Sequence, residues 1–497
     1  MKTRMFTFIM SLTCTLLVSA SFSFAAYHHM NEEDSDTFIQ VYPDKKETKL
    51  DSCASCHSGG SYEKYPDSGQ FISMGSCQWC HYKYGYDASG NIVETLNPYG
   101  KDFYIHGRNA DAIKAIEIKD SDADGFSNIE EIRAFRYPGD AEDDPDKIVA
   151  PIRIYSKSEL SQLPQHTQFM MMNTSRSGDF YAEYTGVPLE ILLEDAGILD
   201  TATGVTVYAP DGWSTFHPLD PVDESSLYHI KGVYPQATYY HDPEAESWCD
   251  YSAPLCSSFS NGNIIPVSGG LKALIAIQRN GANLTPGILN AENKLDGSGP
   301  YRIVVPQKVP SAPDQSSKAD NQNVIWPYNE DWDHNAGFCS RSVTIIKVEP
   351  LPEGTTDINI MEAGWKFIDE EKIIIYGAIQ GQTGSVSGKL YAFNNTEKIA
   401  LSGATVTIIE TGHKTTSNQD GSYMIDNIPI GSYSISIKHE GHLLLIVDPI
   451  IVDESKNTQV PVCTLQLPRL TGDADNDGVI GLKDLIHWFK VLAKMID

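Results

Sequence analysis

Two runs of the form Cys-x-x-Cys-His, Cys53-Ala-Ser-Cys56-His57 and Cys77-Gln-Trp-Cys80-His81, hold the residues best suited to chemistry. Two thiols three positions apart suit addition to the two vinyl groups on one edge of a porphyrin. The adjoining histidine then lies where its imidazole binds the iron. The pattern is that of covalent attachment of c-type haem. It assigns Cys53, Cys56, Cys77 and Cys80 as attachment thiols, and His57 and His81 as proximal axial ligands. A four-cysteine zinc site or a redox dithiol would use the same cysteines, but neither calls for a histidine after each pair. The distal axial positions fall to His106, in Tyr104-Ile105-His106-Gly107, or to His28 or His29; the alternative for each is a solvated surface histidine.

Carboxylate spacing marks a second kind of site. Asp120, Asp122 and Asp124 stand at positions 1, 3 and 5 of a twelve-residue loop, with Gly125 at position 6. Phe126 can offer its carbonyl at position 7, Asn128 stands at position 9, and Glu131 closes the loop at position 12. Hard oxygen donors around a glycine turn suit calcium. Near the end of the chain Asp473, Asp475, Asp477, Val479 and Asp484 repeat the pattern, followed by a helix with Leu482, Leu485, Ile486, Phe489 and Leu492 on its apolar face.

The elements that must carry these residues begin with an export signal. Lys2 and Arg4 precede an apolar run from Phe6 to Ala20, and Ser23-Phe24-Ala25 offers small residues for cleavage. No later stretch reaches the ~20 apolar residues of a spanning helix. The expectation is an exported protein, periplasmic or extracellular, without a transmembrane segment. A formal net charge of -29 argues against nucleic acid and anionic lipid as partners. In an oxidising compartment Cys249 and Cys256 could form a local disulfide.

The 497 residues divide by pattern. Residues 1–25 read as the signal peptide and 26–148 as a dihaem domain carrying the first calcium loop. Residues 149–378 mix strands such as Gly204–Tyr208 with a helix opened by Pro188 and closed by Gly197. Residues 384–468 alternate apolar and polar, as in 404–408 and 433–437, which predicts a β-sandwich. Residues 471–497 hold the second calcium loop. The expected fold class is multidomain: a small haem-binding α/irregular domain, an α+β domain, an all-β sandwich and a short EF-hand-like helix.

Several pieces resemble known families. The order CxxCH, Leu96-Asn97-Pro98-Tyr99-Gly100, then the DxDxDG loop resembles a bacterial exported cytochrome module, implying electron carriage with calcium as a brace. The run Tyr184-Thr185-Gly186-Val187-Pro188-Leu189, with Asp211-Gly212-Trp213 and Gly299-Pro300-Tyr301-Arg302, resembles the molybdopterin-binding domain of sulfite-oxidase-like enzymes. With two upstream haem motifs the whole resembles the GEGP-motif dihaem proteins, although Ser298 stands where that motif has glutamate. In the enzymes a cysteine thiolate holds molybdenum; the matching stretch here, Phe169-Met170-Met171-Met172-Asn173-Thr174, has none, which disfavours a molybdenum oxidoreductase. The Asp420-Gly421-Ser422-Tyr423 and Ile428-Pro429-Ile430-Gly431-Ser432-Tyr433 pieces resemble the carboxypeptidase regulatory-like β-sandwich. The final segment resembles one dockerin repeat, which implies a cohesin-type or surface partner; Leu482 and Lys483 replace the hydroxyl pair of well-known cohesin binders.

Three functions compete. The first is an exported dihaem electron carrier, served by redox partner proteins and attached through its C-terminus. The second is an oxidoreductase whose central pocket feeds the haems. The third is a non-redox scaffold or adhesion protein. The missing thiolate favours the first over the second, and the paired haem motifs favour it over the third.

Overall fold

A computed structural model describes residues 33–465 apart from 47, 64–70, 86–88, 175–177, 210–213, 223–226, 242–248, 290–294, 314–332, 360–364, 395–396, 410 and 454–455. The signal segment, His28, His29 and the C-terminal loop from Asp473 to Asp484 lie outside the described residues, as do the side chains of Cys77 and His81. The architecture is multidomain and mostly β, with few and short helices. Among the described residues no helix is long and apolar enough to cross a membrane.

The described residues of the N-terminal region form five short α-helices: α1 (Glu33–Val41), α2 (Ser76–Tyr84), α3 (Pro98–Ile105), α4 (Ala110–Ile116) and α5 (Asn128–Arg133). A hairpin of β1 (Gly60–Glu63) and β2 (Phe71–Met74) lies between the two cysteine motifs. The core is small: Phe38, Leu50, Tyr99, Phe103, Ile113, Ile116 and Ile132 bury together, with Cys56 packed against them. Polar caps start the helices. Asn97 and Asn109 accept from the backbone N–H groups of Gly100 and Ala112, and Ser127 with Glu130 forms a capping box ahead of α5. The helix after the acidic loop ends at Arg133, ahead of Pro138-Gly139. Phe135 takes φ of 58° and lies beyond it, under the Lys45 ammonium at 3.5 Å.

The following region forms two sheets around a large core. One sheet has His166–Met172 and Asp179–Pro188 antiparallel, with Leu274–Arg279 on the other side of the latter. Phe169, Met170, Met171 and Met172 are buried in it, so the methionine run is core strand. The helix Leu189–Asp195 and the strand Gly204–Tyr208 fall where hydrophobic pattern and punctuation place them.

The second sheet has nine strands and crosses the expected 378/384 boundary. Its central-region strands are Ile152–Ser156, Gly204–Tyr208, Ser214–Pro218, Ile345–Glu349 and Lys372–Gly377; Thr405–Ile408, Lys414–Thr416, Gly431–Lys438 and Leu445–Val452 continue it. The join is a parallel pairing of Gly431 with Ile154. The other layer of the sandwich is a five-stranded sheet centred on Thr383–Asn394. A shared core fills the seam, with Ile154, Ile345, Phe367 and Ile374 packed with Val386, Val406, Ile428 and Ile435. The expected boundary is therefore a change of sequence pattern within one continuous core.

Candidate functional site: the cysteine motifs and the acidic loop

The first motif sits where the chain makes a single 3-10 turn, Cys53–Ser55, with His57 N–H donating to Cys53 carbonyl at 2.8 Å. The next stretch of chain is wrapped over it. Asn97 Nδ2 donates to the carbonyls of Ala54 and Ser55 at 3.1 and 3.2 Å, and Asn97 N–H donates to Cys56 carbonyl at 2.9 Å. Helix α3 then starts so close to the motif that a Cβ on Gly100 would lie 2.1 Å from the Cys56 carbonyl oxygen. Only glycine fits there. The Asn97-Pro98-Tyr99-Gly100 segment is thus a cradle: amide caps above, proline to start the helix, tyrosine into the core, glycine for contact.

Cys53, Cys56 and His57 line a cavity of about 250 Å³ whose apolar wall includes Phe38, Leu50, Ile92, Leu96 and Phe103. Glu33, Asp34 and Ser35 of α1 and Arg108 also border it. Burial lowers the His57 pKa below the usual histidine value, against the opposing charge of Asp34, and favours the neutral ring. One contact fixes its tautomer. His57 Nδ1 lies 2.8 Å from Thr95 Oγ1, and the Thr95 hydroxyl donates to Ile92 carbonyl at 2.7 Å. A hydroxyl has one hydrogen, so Nδ1 must donate and Nε2 must carry the lone pair. That is the arrangement a metal-ligating imidazole needs.

The second motif is brought against the first. Cys80 Sγ lies 3.8 Å from Thr95 Oγ1, so one hydroxyl touches residues of both motifs. Trp79 covers Gly60, where an added Cβ would lie 2.3 Å from the indole, and stacks on Tyr82 with ring centroids 5.8 Å apart. Thr95 carries no sequence signal of its own; a hydroxyl fourteen residues from the nearest motif histidine is visible only in the fold.

His106 stands elsewhere. It caps the C-terminus of α3, is exposed, and directs Nδ1 to the Asp102 carbonyl at 2.7 Å. It does not border the cavity. Among the described residues that do, His57 is the one histidine and methionine is absent.

The acidic loop brings its three aspartates together. The carboxylates of Asp120, Asp122 and Asp124 bring one oxygen each within 4.8 Å of one another. Gly125 takes φ of 104°. Asp120 accepts from the backbone N–H groups of Asp124 and Gly125 at 3.2 and 3.0 Å. Both oxygens of Asp122, one of Asp124 and both of the fully buried Glu131 lack any hydrogen-bond partner. Desolvation, then the neighbouring aspartates, pushes Glu131 up to about 9; the same causes push Asp122 up to about 6. Buried carboxylates without donors are expensive, and a cation of the calcium type would satisfy them.

One expected ligand is corrected. Asn128 turns away from the carboxylates: its Oδ1 accepts from Ser121 N–H at 3.3 Å, and Nδ2 donates to Ile116 carbonyl at 2.7 Å and Ser121 Oγ at 3.0 Å. It ties the loop ends together. Phe126 N–H donates to Asp124 at 2.8 Å, consistent with a tight turn at position 7.

Cys249 and Cys256 are buried in one core as separate thiols, each engaged by a different tyrosine, Tyr251 and Tyr239. The expected disulfide is thus not formed in this structure. His217 is fully buried, with desolvation lowering it to about 4 and Nδ1 on Tyr228 carbonyl at 3.1 Å. His166 is partly buried and His334 precedes a short 3-10 turn.

A buried ionic joint ties the N-terminal region to the central one. Lys49 Nζ meets Asp143 at 2.6 Å and Thr356 Oγ1 at 3.4 Å. Asp143 also accepts from Tyr137 N–H at 2.9 Å and from the Thr356 hydroxyl, with Arg136 at 3.7 Å.

Residues 385–466 match the family model of the carboxypeptidase regulatory-like domain. This is the two-layer strand segment described above. No curated protein matches the chain. Among solved structures, a type II cohesin–X–dockerin complex from Acetivibrio cellulolyticus is 18% identical over 22% of this chain and 72% of its own, with a TM-score of 0.16. The sulfane dehydrogenase SoxCD from Paracoccus pantotrophus is 11% identical over 60% of this chain and 67% of its own, at 0.21. Similarity this low carries no argument about activity.

Proposed function

We propose that the chain is an exported dihaem c-type cytochrome for electron transfer. The observation that carries it is the cavity wall on which Cys53, Cys56 and His57 stand together, with Thr95 holding His57 in the ligating tautomer and touching Cys80. A c-type haem held there supplies a one-electron iron couple. Cys53 and Cys56 would hold the porphyrin edge, His57 Nε2 would bind the metal, and Phe38, Leu96 and Phe103 would exclude water. Cys77, Cys80 and His81 would hold the second group. For the first distal position we favour His28 or His29 over His106. They precede α1 by four or five residues, and α1 begins on the cavity rim.

Calcium in the 120–131 loop is the structural part of this reading, supported by the orphaned oxygens of Asp122, Asp124 and Glu131. The C-terminal loop from Asp473 to Asp484 would bind a second ion and attach the protein to a surface partner. Intact-mass measurement of the exported chain tests the proposal. A mass increment of two haems is expected; a chain without covalent haem refutes it. Molybdenum near one per chain would instead favour an oxidoreductase centred on the middle domain.

A further inference from the structure

The hairpin of Gly431–Lys438 and Leu445–Val452 closes through a turn in which His442 N–H donates to His439 carbonyl at 3.2 Å and Gly441 takes φ of 75°. Ile435 and Ile437 anchor its base in the core. At its tip three atoms converge. His439 Nδ1 lies 2.9 Å from the Glu440 carbonyl oxygen, His442 Nδ1 lies 3.1 Å from the same oxygen, and the two nitrogens are 3.1 Å apart. The rings meet edge to face, with centroids 4.9 Å apart.

Hydrogen bonds alone cannot satisfy this triangle. If one Nδ1 carries the proton, the other presents its lone pair both to that proton and to the carbonyl lone pairs. If both carry protons, the two hydrogens oppose each other across the N–N contact. In every neutral arrangement one contact is repulsive. A cation placed over the triangle satisfies all three.

We propose that His439, His442 and the Glu440 carbonyl form a facial site for a divalent transition-metal ion. Two imidazole nitrogens favour zinc, nickel or copper over calcium or magnesium. Bonds of about 2.0–2.1 Å at right angles put neighbouring ligands about 2.9 Å apart, and tetrahedral bonds about 3.3 Å. The observed edges of 2.9, 3.1 and 3.1 Å span the interval between the two values, and three ligands leave the remaining positions open to water or to a ligand from another molecule. Both histidines are only partly buried, which leaves the site accessible. It is separate from the cysteine motifs and the acidic loop.

Equilibrium dialysis of the full chain against Zn²⁺, with millimolar Ca²⁺ to occupy the acidic loops, tests the site. The unmodified chain should hold one zinc more than the His439→Gln/His442→Gln variant. Each single substitution should weaken that zinc at least tenfold, and Glu440→Ala, which keeps the carbonyl, should retain it. Haem content and thermal midpoint of the variants should match the unmodified chain, since the turn lies outside the core. Equal zinc binding by the double variant overturns the proposal, as does loss of the zinc in Glu440→Ala alone.

Discussion

If the 120–131 loop takes calcium as proposed, binding must expel a proton, and the amount follows from the loop's geometry. Without an ion, Glu131 is held at about 9 and Asp122 at about 6, by burial first and by neighbouring aspartates second. At pH 7 that leaves Glu131 about 99% protonated and Asp122 about one-tenth protonated. Calcium needs both ionised. About one proton should therefore leave per ion near neutrality. Apparent affinity should rise about tenfold per pH unit between about pH 6 and 9, and level off above that. Below about pH 6 the slope should steepen as Asp122 also holds a proton. Isothermal titration calorimetry at three pH values, in buffers of different ionisation enthalpy, gives both the slope and the proton count. An affinity that stays flat from pH 6.5 to 8.5 refutes the assignment of Glu131 as the closing ligand. The sign for stability is the reverse. Both groups have folded values above their ordinary ones, 4.5 and 3.8, so their contribution in the ion-free chain is complete below those values. It is lost as pH rises toward about 9. The ion-free thermal midpoint should fall across that window, and saturating calcium should remove the trend.

Two substitutions probe other parts. Thr95→Val keeps the volume but removes the acceptor for His57 Nδ1–H, making the imidazole a weaker electron donor. A hydrogen bond of about 1 kcal/mol converts to a rise of about 20–60 mV in one haem potential by spectroelectrochemical titration; no shift, or a fall, counts against Thr95 as the positioning residue. Lys49→Met leaves Asp143 buried with the Tyr137 N–H, the Thr356 hydroxyl and only the looser Arg136 pairing at 3.7 Å. Breaking such a pair costs about 3–5 kcal/mol, a drop of about 6–20 °C in thermal midpoint by calorimetry; an unchanged midpoint would show that the joint contributes nothing.

Local chemistry was legible in the sequence where it depends on short spacing. The DxDxDG run folds into a turn because its glycine and its aspartate-to-backbone bonds are all local. Strands with strict alternation, such as Thr405–Ile408, form where the alternation lies. Long-range pairing is what sequence patterns do not carry. The Gly431–Ile154 join fuses two regions with different patterns into one sheet, and nothing near either residue announces it. Thr95, Lys49 and Asp143 are hidden for the same reason: each acts through partners remote in the chain. Asn128 shows the converse. Its position in the loop points to the ion, but its amide is consumed by Ser121 and Ile116. His106 has the right residue type near the motifs, yet the end of α3 turns it to solvent.

The measurement that bears most directly on the central reading is a pyridine haemochrome spectrum of the purified protein, scaled to protein concentration. Two thioether-linked haems per chain are predicted, falling to one when Cys53 and Cys56 are both replaced by serine. Fewer than two in the unmodified chain would contradict the account.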